Sequence, residues 1–189
     1  LAVTALLVGF AGMVRARPLK KVEAQTALLA LLVFITICTT WIDAWNTPRL
    51  PSLDFGRLWA PVMLATCYYL AAGVVFPHDR SEFDDLAAYY ADRKRFVALM
   101  LLLAQLLVNV PFLPRMTMFF HQQPAVLWLW LVPYDVAICA SLIALATVRS
   151  RRANLAMLAV LILLMLVPYW GFFTPISSIE RHWGYPLVG

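Results

Sequence analysis

The sequence predicts an all-α fold, a polytopic transmembrane helical bundle of about six spans, on three observations. The first is composition. Of 189 residues, 63% are hydrophobic and only 13% charged, against about 25% charged in ordinary soluble domains; the mean hydropathy is +0.79. The second is patterning: the charges are bunched between apolar runs at roughly 1–14, 24–45, 58–77, 96–113, 125–148 and 154–173. About 20 apolar residues cross the ~30 Å hydrocarbon core as a helix, and every run but the first meets that need. The third is sidedness. The connections after runs one, three and five hold Arg15, Arg17, Lys20, Lys21, Arg80, Arg93, Lys94, Arg95, Arg149, Arg151 and Arg152, 11 of the 15 Lys and Arg. By the positive-inside rule that side is cytoplasmic, which puts the C-terminal tail on the outer side. No connection is long enough for a soluble domain, so residues 1–189 read as one transmembrane domain. The net charge of +5 is this orientation signal. It suits anionic lipid head groups and calls for no nucleic-acid partner.

Run one is short and begins with Leu, so the expectation is a first span that starts upstream. A signal peptide is the rival reading, but Arg15, Arg17, Lys20 and Lys21 follow the apolar stretch instead of preceding it. Run two carries Thr36, Thr40 and Asp43 along one face of its outer half. Run three carries Thr66 and Tyr69, and Pro77 ends it. In the connection 77–97, Ser81 with Asp84 resembles a capping box that starts a helix near Glu82. Glu82, Asp84 and Asp85 then suit the positive end of the helix dipole. Phe83, Leu86 and Tyr90 recur at helical spacing and form a candidate partner-docking stripe, and Arg93, Lys94 and Arg95 read as a basic anchor at the entry to run four. The spacing predicts one long helix whose first turns lie at or below the head groups.

The segment FPHDRSEFDDLAAYYADRKRFVALMLL, Phe76 to Leu102, resembles a group of small, uncharacterised bacterial multi-span membrane proteins. In these a Phe-Pro ends one span and an acidic-aromatic helix with a basic cluster opens the next. The resemblance implies a bacterial inner (cytoplasmic) membrane and no particular activity.

Polar residues inside the runs are the functional candidates. Asp135 is the only ionisable side chain between 126 and 148. A carboxylate at membrane depth is costly unless it faces protein, water or a partner. Gln105 and Asn109, four apart, project from one face of the fourth helix. A short connection, 114–124, makes the fourth and fifth helices antiparallel neighbours, so Gln105 can meet Asp135. Together with Thr36, Thr40 and Asp43 these residues form an intramembrane polar cluster if all face one interior. Two readings follow. Interhelical hydrogen bonds tie the bundle together, each worth about 0.6–2 kcal/mol. Alternatively, Asp135 is a proton or cation site, with Pro133 freeing a backbone carbonyl just before it.

Catalytic signatures are absent. None of His78, His121 and His182 lies in a run, leaving no ligands for an embedded haem, and no metal, nucleotide or nucleophile motif is present. Asp43, Asp54, His121, Glu180 and His182 share the outer side without ligand spacing. Cys38, Cys67 and Cys139 read as small packing residues. Trp41, Trp45, Trp59, Trp128, Trp130, Tyr169 and Trp170 gather toward the outer surface as an aromatic belt, and contact with a lipid, quinone or pigment stays open. The expected role is a non-catalytic accessory or structural subunit of a larger bacterial membrane assembly, with membrane lipids and other membrane subunits as partners. The alternatives are a small proton- or cation-linked channel or transporter using Asp135, or a lipid- or quinone-handling membrane protein.

Overall fold

The computed structural model describes residues 2–15, 24–46, 55–76, 86–109 and 132–169. Six α-helices account for nearly all of them: α1 (Ala2–Arg15), α2 (Ala24–Asn46), α3 (Phe55–Val75), α4 (Leu86–Asn109), α5 (Val132–Thr147) and α6 (Arg151–Leu166), closed by a 3-10 turn at Val167–Tyr169. The expected all-α transmembrane bundle therefore forms. Three stretches, Ala24–Ala44, Leu58–Val75 and Arg151–Tyr169, are long and apolar enough to cross a membrane, and Ala2–Ala11 and Val132–Thr147 are shorter apolar helices. α4 is 24 residues long but carries the charged turn Asp92–Arg95 ahead of its apolar part.

α3 packs most extensively on α4, α2 on α6, and α4 on α5, while α1 lies against α3. Small residues are buried on both of these helices, with Ala71 and Ala72 of α3 and Ala98 and Ala104 of α4 at most 2% exposed. That is how helices come close in a setting where lipid competes equally for apolar surface. Gly9 serves the same end on α1, since a Cβ there would lie 2.6 Å from Phe76 Cδ2. The Phe10 and Phe76 rings meet edge to face at 6.5 Å. Leu32, Leu101, Leu142, Leu145, Leu158 and Leu161, all fully buried, join these contacts into one core.

The last carbonyls of a helix have no intrahelical donor, and in an apolar setting each must find another. Here neighbouring helices supply it. The Tyr89 hydroxyl of α4 donates to the Val74 carbonyl at the end of α3, 2.8 Å away, with the Phe76 carbonyl at 3.3 Å. Pro168 lacks the N–H that would serve the Leu164 carbonyl, and the Tyr134 hydroxyl of α5 donates to it at 2.7 Å. Lys94 Nζ of α4 donates to the Val148 carbonyl just past α5.

Several expectations are corrected. Tyr90 is 3% exposed and packs in the core, so it is no part of an exposed docking stripe. It turns inward because the chain continues as helix beside α3. Phe83 lies outside the described residues, and Leu86 opens α4. Pro133 lies at the start of the described part of α5, and the turn before it, where a freed carbonyl would sit, lies outside the described residues. Thr66 and Tyr69 face away from the bundle, so the third-helix stripe does not converge with the others. The expected docking stripe thus loses Tyr90, and its Phe83 lies beyond what the structure describes.

Candidate functional site

The polar side chains of the bundle gather in three places, two at one end and one at the other. At the first, the α4–α5 antiparallel pairing brings Gln105 Nε2 to 3.3 Å from Asp135 Oδ1, donating to it, and Asn109, one turn along α4, reaches the same carboxylate. Asp135 is half-buried and lies near the start of the described part of α5.

The second place joins α2, α3 and α6. The Tyr169 hydroxyl donates to Asp43 Oδ1 at 2.6 Å and lies 3.3 Å from the Thr39 carbonyl. Thr40 Oγ1 and the Tyr68 hydroxyl are 2.6 Å apart. Thr36 donates to the Leu32 carbonyl of its own helix at 2.8 Å, so it makes no interhelical tie. Of the expected cluster, Gln105, Asn109 and Asp135 come together, while Thr40 and Asp43 pair elsewhere. No hydrogen bond among the described residues joins the two groups.

The third place was not anticipated. Lys94 lies at the opposite end of α4, just before its apolar half, between the exposed Arg93 and Arg95. Only 6% exposed, it donates from Nζ to the Val148 carbonyl and to Asn154 Oδ1 at 3.0 Å, with the Tyr90 ring 6.0 Å away. Asn154 is 3% exposed, and close by Gln25 Nε2 of α2 reaches the Arg151 carbonyl at 3.5 Å. Burial pushes the Lys94 ammonium below its ordinary value. Its acceptors are neutral, but the end of α5 carries the negative pole of the helix dipole. The sequence signal for this site was faint: one Asn opening the sixth apolar run, and three successive basic residues of which one had to turn inward.

The C-terminal end of α5 is thus matched by a lysine from α4 at its negative pole. A carboxylate with two amides can exchange a proton or bind a small cation, but here its described contacts are donors from the neighbouring helix. Among the described residues no three of His, Cys, Asp and Glu gather as a metal-ligand set. Asp54, His121, Glu180 and His182 lie outside them. Comparison with protein-family models, with curated proteins and with solved structures finds no match to this chain.

Proposed function

We propose that this chain is a non-catalytic accessory or structural subunit of a larger assembly in a bacterial inner membrane. On this reading it crosses the membrane six times, with 15–23, 78–95 and 149–153 cytoplasmic. One observation supports it above the others: the intramembrane polar groups are spent on holding helices to one another. Asp135 is held by Gln105, Asp43 by Tyr169, Thr40 by Tyr68 and the Leu164 carbonyl by Tyr134. A bundle that ties its helices together through such groups and presents a largely apolar exterior is what an assembly subunit needs. The direct test is gentle extraction from the native membrane followed by identification of what co-purifies in fixed ratio. A stoichiometric membrane partner is expected, and recovery as a single species of this chain alone would overturn the reading. Outside labelling of single cysteines, in a background lacking the native thiols, is expected at positions 50 and 121 but not at 85 or 151; the inverse pattern would reverse the topology.

A second reading rests on the half-exposed state of Asp135: a proton- or cation-linked channel or transporter. It requires the carboxylate to change charge in each cycle. Flux measured in reconstituted vesicles is then abolished by Asp135→Asn, and a folded Asn variant with wild-type flux rules this role out.

A further inference from the structure

On α3 the residues Val62, Thr66, Tyr69 and Gly73 fall within one narrow helical face, and that face is turned away from the other helices. Val62 and Tyr69 are each 50% exposed, Thr66 is exposed, and a Cβ at Gly73 would meet nothing within 4 Å. The Thr66 hydroxyl is satisfied within its own helix, donating to the Val62 carbonyl at 2.8 Å. The Tyr69 hydroxyl has no hydrogen-bond partner among the described residues. Its chain neighbour Tyr68 is 5% exposed and bonded to Thr40.

Depth makes this difference costly. Leu58–Val75 is long and apolar enough to cross a membrane; when it does, Tyr69 lies about 4 Å from its middle at ~1.5 Å per residue, with the head groups about 15 Å from the middle. A phenol cannot snorkel that far, and hydrocarbon tails offer no acceptor. The usual place for an outward tyrosine is the interface. A second hydroxyl at the same depth would satisfy it, and the same face of another copy supplies one. In a parallel two-fold pair, Tyr69 meets Tyr69, and each hydroxyl is both donor and acceptor. Leu58–Val75 carries no charged side chain, so self-pairing brings no like charges together. Thr66 and the open Gly73 leave room for the two backbones to approach.

We propose that this face of α3 is a two-fold dimer interface, with the paired Tyr69 hydroxyls as its polar centre. The proposal is independent of the identity of any other subunit. Single cysteines are placed at 62, 66 and 73, and as controls at Val136 and Ile143 on the exposed face of α5, in a chain whose native cysteines are replaced, and oxidised in native membranes. Species of twice the chain mass are expected from 66 and 73 and not from 136 or 143. Adding Tyr69→Phe, which removes an outward hydroxyl and no packing atom, lowers the yield at 73 about fivefold, equivalent to about 1 kcal/mol. Equal yields at all five positions, no doubled species, an adduct with a different protein from 66, or a yield unmoved by Tyr69→Phe each overturn it. A different protein captured from 66 would leave the accessory-subunit reading standing while removing the dimer.

Discussion

At one end of α5 a lysine from α4 is almost fully enclosed, 6% exposed beneath the Val148 carbonyl and against Asn154. Asp135, by contrast, is only half-buried and takes amide donors from α4, Gln105 at 3.3 Å and Asn109. Both charges rely on neutral partners, and the lysine also complements the α5 dipole. They differ in access. The enclosed cation cannot be re-solvated without parting α4, α5 and α6, so its role is structural. The carboxylate is only half-buried, so exchange with water or a partner there does not require unfolding. Charge alone does not separate a structural residue from a functional candidate here; enclosure does.

The comparison breaks first, and hardest, at Lys94. Lys94→Met leaves the Val148 carbonyl and Asn154 Oδ1 buried without a donor, and a loss of about 2 kcal/mol is expected in reversible unfolding in detergent. Combining it with Asn154→Leu removes one stranded acceptor, and the double-mutant cycle should return a coupling of about 1 kcal/mol. Additive losses would mean that the lysine holds only the helix end.

At the other end the two substitutions of Asp135 should part company. Asp135→Leu strands Gln105 and costs about 1–2 kcal/mol, whereas Asn keeps an acceptor for the Gln105 amide and unfolds close to wild type. A large loss with Asn would make the charge itself structural, erasing the contrast with Lys94.

Tyr134→Phe tests whether proline-orphaned carbonyls matter within the bundle. The Leu164 carbonyl loses its donor, and about 1 kcal/mol is expected from the same unfolding measurement. Tyr169→Phe, at a site 37% exposed, should cost less because water can replace the hydroxyl at Asp43. Reversal of that order would show the Asp43 end to be the more tightly enclosed.

The smallest effect is the pH response of Lys94. Burial disfavours its ammonium, so the folded chain releases this proton below the ordinary value of 10.5, where the unfolded chain still holds it. Between the two values the unfolded state binds more protons, and stability should rise with pH toward 10.5. Lys94→Met should flatten that rise, and an unchanged slope would assign it to other groups.

Some of this was legible in the residues. The Gln105–Asp135 contact followed from helical spacing and a short connection that makes two helices antiparallel neighbours. The inward turn of Tyr90 and Lys94, and the outward turn of Thr66 and Tyr69, did not. In a soluble helix the polar face points to water and sets the rotation. In a membrane the exterior is as apolar as the core, so apolar runs such as 58–77 carry little information about which side faces in.

The sequence by itself determined the class and the helices, because length and hydropathy act locally on each segment. Only the tertiary structure decided the rotation of each helix: which of Tyr68 and Tyr69 reaches Thr40, which of Arg93, Lys94 and Arg95 goes under the end of α5, and that Asp43 pairs with Tyr169 and not with Asp135. Those choices depend on small residues such as Gly9, Ala71 and Ala98 letting particular faces approach, and on orphaned carbonyls finding donors across helices. Both are properties of pairs of segments, which no single segment encodes.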